Sequence, residues 1–193
     1  MISTRVASII THVSNPALVA AYTFLFLLYL YNNASPSFVC VVLTFGTFVP
    51  LLIIILLSKH GVVSDVFVTE REERAKPFAG AVISYLVGSL VLWSLNAPKL
   101  VTALMLCYAV NTIVMMLITR RWKISVHASG IAGPTTVLIA AVGAWASILF
   151  ALLIPVGWAR IRLKAHTPMQ LLAGALVTIA ATWVQLGIYL TVL

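Results

Sequence analysis

The chain reads as an all-α integral membrane protein, a bundle of about six to seven transmembrane helices, and three observations predict this. Of its 193 residues 62% are apolar and 8% charged, and the mean hydropathy of +1.12 is far above that of soluble domains. The apolar residues gather in runs close to the length of about 20 residues that a helix needs to cross hydrocarbon. The charges collect between those runs, and nearly all fall on one side of the alternation. No soluble module or low-complexity linker interrupts the pattern, so residues 1–193 are expected to form a single helical domain.

Taken in order, apolar runs occupy residues 16–31, 38–57, 78–95, 99–118 and 168–193. The first follows polar Thr11, His12, Ser14 and Asn15 and lacks a small-residue cleavage site, so it is expected to stay as an anchor rather than leave as a signal peptide. The stretch 131–158 is too long for one comfortable span and short for two, and Gly143 near its middle predicts a tight hairpin of two short helices. Cys40 and Cys107 lie inside apolar runs and read as small buried hydrophobes. The small residues Ala173, Gly174 and Ala175 on the last helix would allow close packing against a neighbour, without defining an oligomeric state.

If the spans alternate, the amino terminus and the segments 58–77, 119–129 and 158–166 emerge on one face. That face carries Arg5, Lys59, Arg71, Arg74, Lys76, Arg120, Arg121, Lys123, Arg160, Arg162 and Lys164, eleven of the twelve Lys and Arg; only Lys99 is opposite. All four histidines (His12, His60, His127, His166) and all four acids (Asp65, Glu70, Glu72, Glu73) share it. The positive-inside rule makes this face cytoplasmic in a plasma membrane of prokaryotic type. The same crowding suits a pocket for an anionic ligand at the membrane surface. Short basic loops interrupted by apolar residues are unsuited to nucleic acid.

Three clusters on that face carry chemistry. In the segment 69–78, Arg74 and Lys76 precede Pro77 and the next apolar run; Arg offers phosphate a planar fork and Lys a compact charge, although Glu and Arg could equally pair locally in a solvated loop. In 122–130, Lys123 is a further cation, Ser125 can donate to an oxyanion, His127 can carry a proton, and Ala128, Ser129 and Gly130 allow close backbone approach. In 159–170, Arg160 and His166 stand six apart and Gln170 follows the histidine by four. Residues four apart share a helix face, so Gln170 could fix the imidazole tautomer. No close spacing of histidines suggests a metal site, and no cofactor is expected.

The order of these clusters resembles the type-2 phosphatidic acid phosphatase superfamily of membrane lipid phosphatases, whose pattern is K-x6-R-P, then P-S-G-H, then S-R-x5-H-x3-D. I-S-V-H matches the middle motif at Ser125 and His127, and A-R-x5-H-x3-Q matches the last at Arg160 and His166 with its spacing intact. The first survives as Lys76 and Pro77, with Thr69 where the pattern has lysine. The similarity covers residues 71–174, about half the chain.

The resemblance implies metal-independent phosphoryl transfer, with His166 attacking phosphorus to form a phosphohistidine and His127 protonating the leaving oxygen. Arg74, Lys76, Lys123, Ser125 and Arg160 would hold phosphate oxygens. The substrate would be a lipid phosphate or isoprenoid diphosphate drawn from the surrounding membrane lipids. Departures from the pattern keep two other readings open. Gln170 stands for an aspartate that both orients the imidazole and stabilises its charge, and in a serine-protease triad the comparable loss costs about ten-thousand-fold. Val126 replaces a glycine and Ala159 a serine. A catalytically silent lipid-phosphate binding or transport protein of the same fold is therefore the alternative. The third reading is a metal-dependent prenyl or alcohol-phosphate transferase, in which Asp65, Glu70, Glu72 and Glu73 hold magnesium.

Overall fold

A computed structural model describes residues 2–193, which are 81% helical with no strand among them. Eight helices follow in order. They are α1 Ile2–Val13, α2 Pro16–Leu30, α3 Pro36–Lys59, α4 Glu72–Ser94, α5 Lys99–Thr119, α6 Val126–Val142, α7 Ala144–Arg162 and α8 Pro168–Val192. Five of them (α3, α4, α5, α7 and α8) are long and apolar enough to cross a membrane, and α1 with α2 makes a sixth such unit bent by 49°. The bend has a local cause. Asn15 leaves helical geometry and its side chain accepts the Ala17 N–H, while Pro16 takes the first position of α2, where its missing N–H costs nothing.

The helix α1 departs from the sequence expectation, in which these residues were only a polar lead-in. Ser3, Thr4, Arg5, Ser8, Thr11 and His12 lower the average hydropathy, but at helical spacing they leave Ile2, Val6, Ile9 and Val13 as one exposed apolar stripe. The hairpin at Gly143 also differs in proportion. Gly143 adopts φ +97°, a conformation reserved for glycine, and ends a helix of 17 residues as expected. Its other arm, α7, has 19 residues and is long enough to span, because it continues past Trp158 to Arg162; its first nine residues, Ala144–Leu152, wind as a 3-10 helix.

The helix α5 presents Val101, Leu104, Met105 and Cys107 to the core formed with Phe24, Leu27 and Leu28 of α2, Val42 of α3 and Leu186 of α8. Cys107 is buried as expected, whereas Cys40 is exposed because it lies on the outer side of α3. A π turn at Thr44–Phe48 interrupts α3. The turn frees the Phe45 carbonyl, which accepts the Ser84 hydroxyl of α4 at 2.7 Å, and Thr47 donates to the Ala17 carbonyl of α2 at 3.0 Å. Thr47 thus ties the start of α2 to the middle of α3, while α1 packs against the last part of α7. Between α5, α6 and α8 the core is polar: Asn111 donates to Thr182, Gln185 to Asn111, and Thr178 to Ser129, at 2.9, 2.9 and 2.8 Å. Each amide and hydroxyl in this ladder finds a partner, which fixes the rotation of α8 against its neighbours.

Candidate functional site

At the basic end of the bundle, backbone carbonyls act as anchors for cationic side chains. Arg74, in the first turn of α4, donates Nε to the Val68 carbonyl at 3.0 Å and Nη1 to the Ile124 carbonyl at 2.9 Å, joining the α3–α4 and α5–α6 connections. Val68 adopts φ +47°, strained for a β-branched residue, and turns its carbonyl to the guanidinium. The Asp65 carboxylate holds that loop by accepting the Phe67 and Thr69 N–H groups at 2.7 and 3.0 Å. On the far side, the Ser125 N–H donates to the Gln170 carbonyl at 3.1 Å. This approach needs Gly174, since a Cβ there would lie 2.5 Å from the Ser125 carbonyl oxygen. The small-residue stripe of the last helix therefore serves contact within the chain.

The spacing of Arg160, His166 and Gln170 is the geometry of one helix stopping and another starting. Lys164 at φ +54° closes α7 in a Schellman arrangement, with Ala165 N–H donating to the Arg160 carbonyl and Lys164 N–H to that of Ile161. Thr167 then caps α8: its hydroxyl accepts the Gln170 N–H, the Gln170 Oε1 accepts the Thr167 N–H at 3.1 Å, and Pro168 takes the first helical position. A backbone N–H can only donate, so the atom facing it is the amide oxygen. The same oxygen lies 3.2 Å from His166 Nδ1. Nδ1 must therefore carry the proton and donate, leaving the Nε2 lone pair unprotonated.

These elements enclose a cavity of about 120 Å³, lined by Arg74, His127, Arg160 and His166, with Phe67 from the loop and Pro50, Leu51 and Tyr85 on its apolar side. It is recessed, because Pro50 lies nine residues, or about 13 Å, before the end of α3. Arg74 and Arg160 are each 3% exposed. Neither pairs with a carboxylate; the one ion pair among the described residues joins Arg71 and Glu72. The Arg160 Nε and the His127 Nε2 are buried without a hydrogen-bond partner. Unpaired buried charge is costly, so such a recess suits an anion that would accept from these guanidinium groups. The Phe67 ring fills part of the space, 5.9 Å from the Arg160 guanidinium, 6.2 Å from the His127 ring and 4.9 Å from that of His12.

Of the residues singled out in the sequence, His127, His166, Arg74 and Arg160 line the cavity and Gln170 bonds to His166. Lys76 is exposed and Lys123 half-buried, and both stand outside the lining. Ser125 is fully buried and its hydroxyl accepts the Ala128 N–H, capping α6 and placing His127 in its first turn. Among the acids, Glu72 is bound to Arg71 and Glu73 to the Ser64 N–H and hydroxyl, so the local pairing expected for this loop is present. No group of three His, Cys, Asp or Glu among the described residues is arranged to hold a metal. Phe67 carried no sequence signal, since an aromatic in a loop has no spacing to betray it. Burial and the fields of Arg74 and Arg160 hold the His166 imidazole down to about 3, against the opposing Gln170 hydrogen bond. Burial, then Arg74, lowers Lys123 from the ordinary lysine range.

Comparisons of the chain with protein-family models, curated proteins and solved structures find no match.

Proposed function

We propose that the chain is an integral membrane phosphatase that removes phosphate from a lipid phosphate or isoprenoid diphosphate through a phosphohistidine. One observation carries the reading: two buried guanidinium groups without carboxylate partners surround two histidines in one recess. In this mechanism Arg74 and Arg160 hold the phosphate oxygens. The unprotonated Nε2 of His166 attacks phosphorus in line with the leaving oxygen, forming an N–P bond as the P–O bond breaks. His127, protonated once the anion is bound, gives its proton to the leaving alkoxide or phosphate. Water then attacks the phosphohistidine, His127 takes the water proton, and His166 regains its lone pair. The basic end of the bundle is assigned to the cytoplasmic side by the positive-inside rule.

Gln170 is the observation that favours the second reading, a silent lipid-phosphate binder, since an amide orients His166 without stabilising its positive charge. The two readings separate on phosphate release from phosphatidic acid, phosphatidylglycerol phosphate and polyprenyl diphosphates, measured with EDTA present. The phosphatase reading expects release by the wild type, none by His166→Ala, and at least about tenfold faster release by Gln170→Glu, which keeps the capping box and supplies a carboxylate. Binding of these lipids with no release by any of the three proteins would establish the silent binder instead.

A further inference from the structure

We propose that the hydrocarbon chain of the lipid lies in the apolar groove between the α1–α2 elbow and the α6–α7 hairpin, with its phosphate in the recess. This inference rests on reading the recess as a phosphate site. The groove has a volume of about 660 Å³, against 120 Å³ for the recess, so the recess holds a headgroup and little else. Ile10 and Tyr22 form one wall, and Ile131, Leu138, Leu149 and Val156 the other. The polar residues Ser14 and Thr23 in this lining turn their hydroxyls to carbonyls of their own helices, Ile10 at 2.7 Å and Val19 at 2.8 Å. The lining is therefore mostly apolar, with Thr135 and the polar atoms of Tyr22 and Trp145 as its remaining polar groups.

Register joins the groove to the chemistry. On α6, His127, Ile131, Leu138 and Val142 recur at steps of four, seven and four, which keeps them on one face; on α7, Val156 lies one turn before Arg160. Ile10 and Ser14 flank Thr11 and His12, the latter ringed against Phe67 at the mouth of the recess. Three helices thus lead from groove to recess within one turn. Arg160 and Arg74, complementary to a phosphate, line the recess and not the groove, and the groove lining carries no charge. That polarity selects an amphiphile with an anionic head and a long chain, oriented head towards His166.

The test uses the full chain in lipid nanodiscs and phosphatidic acid bearing a diazirine in the middle of one acyl chain. After irradiation, adducts are expected within residues 9–26 and 131–156, competed by unlabelled phosphatidic acid and not by phosphatidylcholine. Leu149→Trp, at a half-exposed position of the groove wall, is expected to suppress them and to lower the ratio of long-chain to short-chain kcat/KM at least about tenfold. Adducts confined to 50–81, between α3 and α4, would overturn the proposal, as would uncompeted labelling; the wild-type map decides even where the tryptophan variant fails to fold. Phosphate release with adducts elsewhere defeats the groove alone. Competed groove adducts without release leave the groove standing and defeat the phosphatase reading.

Discussion

The Gln170 side-chain oxygen serves two donors at once, the Thr167 N–H that begins α8 and the His166 ring. One atom thereby starts a helix and sets a tautomer, which is why a neutral amide suffices to aim the imidazole. Its neighbours set the protonation. With the folded value at about 3 and the free imidazole near 6.5, His166 takes up a proton in the unfolded chain across a pH range where the folded chain keeps it neutral. Its contribution to stability is complete above about 6.5 and is lost progressively as the pH falls towards 3. Ring 15N shifts should report a neutral His166 at pH 5 and an upward move in its titration when phosphate enters; titration near 6.5 in the free protein would contradict the burial argument. This pair was legible in the sequence from its spacing of four, and the capping box of Thr167 with Gln170, three apart, fixes the amide beside the ring. Phe67 was not, since its place between His12, His127 and Arg160 comes from a loop folded around Asp65.

Among the elements, α6 and α8 bear most directly on the recess, because their contact sets the distance between His127 and His166. Gly174 makes that contact possible. A Gly174→Ala change would bring its Cβ against the Ser125 carbonyl, a rigid backbone atom, so α8 must shift as a body. A loss of about 1–3 kcal/mol is expected from such overpacking, together with weaker phosphate binding, and a thermal melt in the presence and absence of phosphate measures both. The long apolar helices were readable from hydropathy, and the break at Gly143 from its residue type. The helix α1 escaped notice because its apolar residues form a stripe rather than a run. The π turn in α3 escaped for a different reason: the carbonyl it frees is satisfied by Ser84, 39 residues away in the chain, and only packing reveals that partner.

Over the whole molecule, the charge asymmetry has a direct consequence for orientation. Lys99 stands alone at one end while eleven cations gather at the other, and α8 runs from the second end to the first. A phosphatase reporter fused after Leu193 should be active outside the cell and a fluorescent one dark; the reverse would place the recess on the outer side. The all-helical class could be read from composition. The recess could not, because it depends on where α2 begins against α3 and on two arginines folding inward past the acids that lie beside them in the chain. Its depth carries one more consequence. Water must travel inward past Phe67 and apolar walls to reach a phosphohistidine, so the second substrate of the proposed reaction is the scarce one. Whatever hydroxyl compound shares the groove then competes with water as the phosphate acceptor, and the ratio of transfer to hydrolysis becomes a property of the depth of the site.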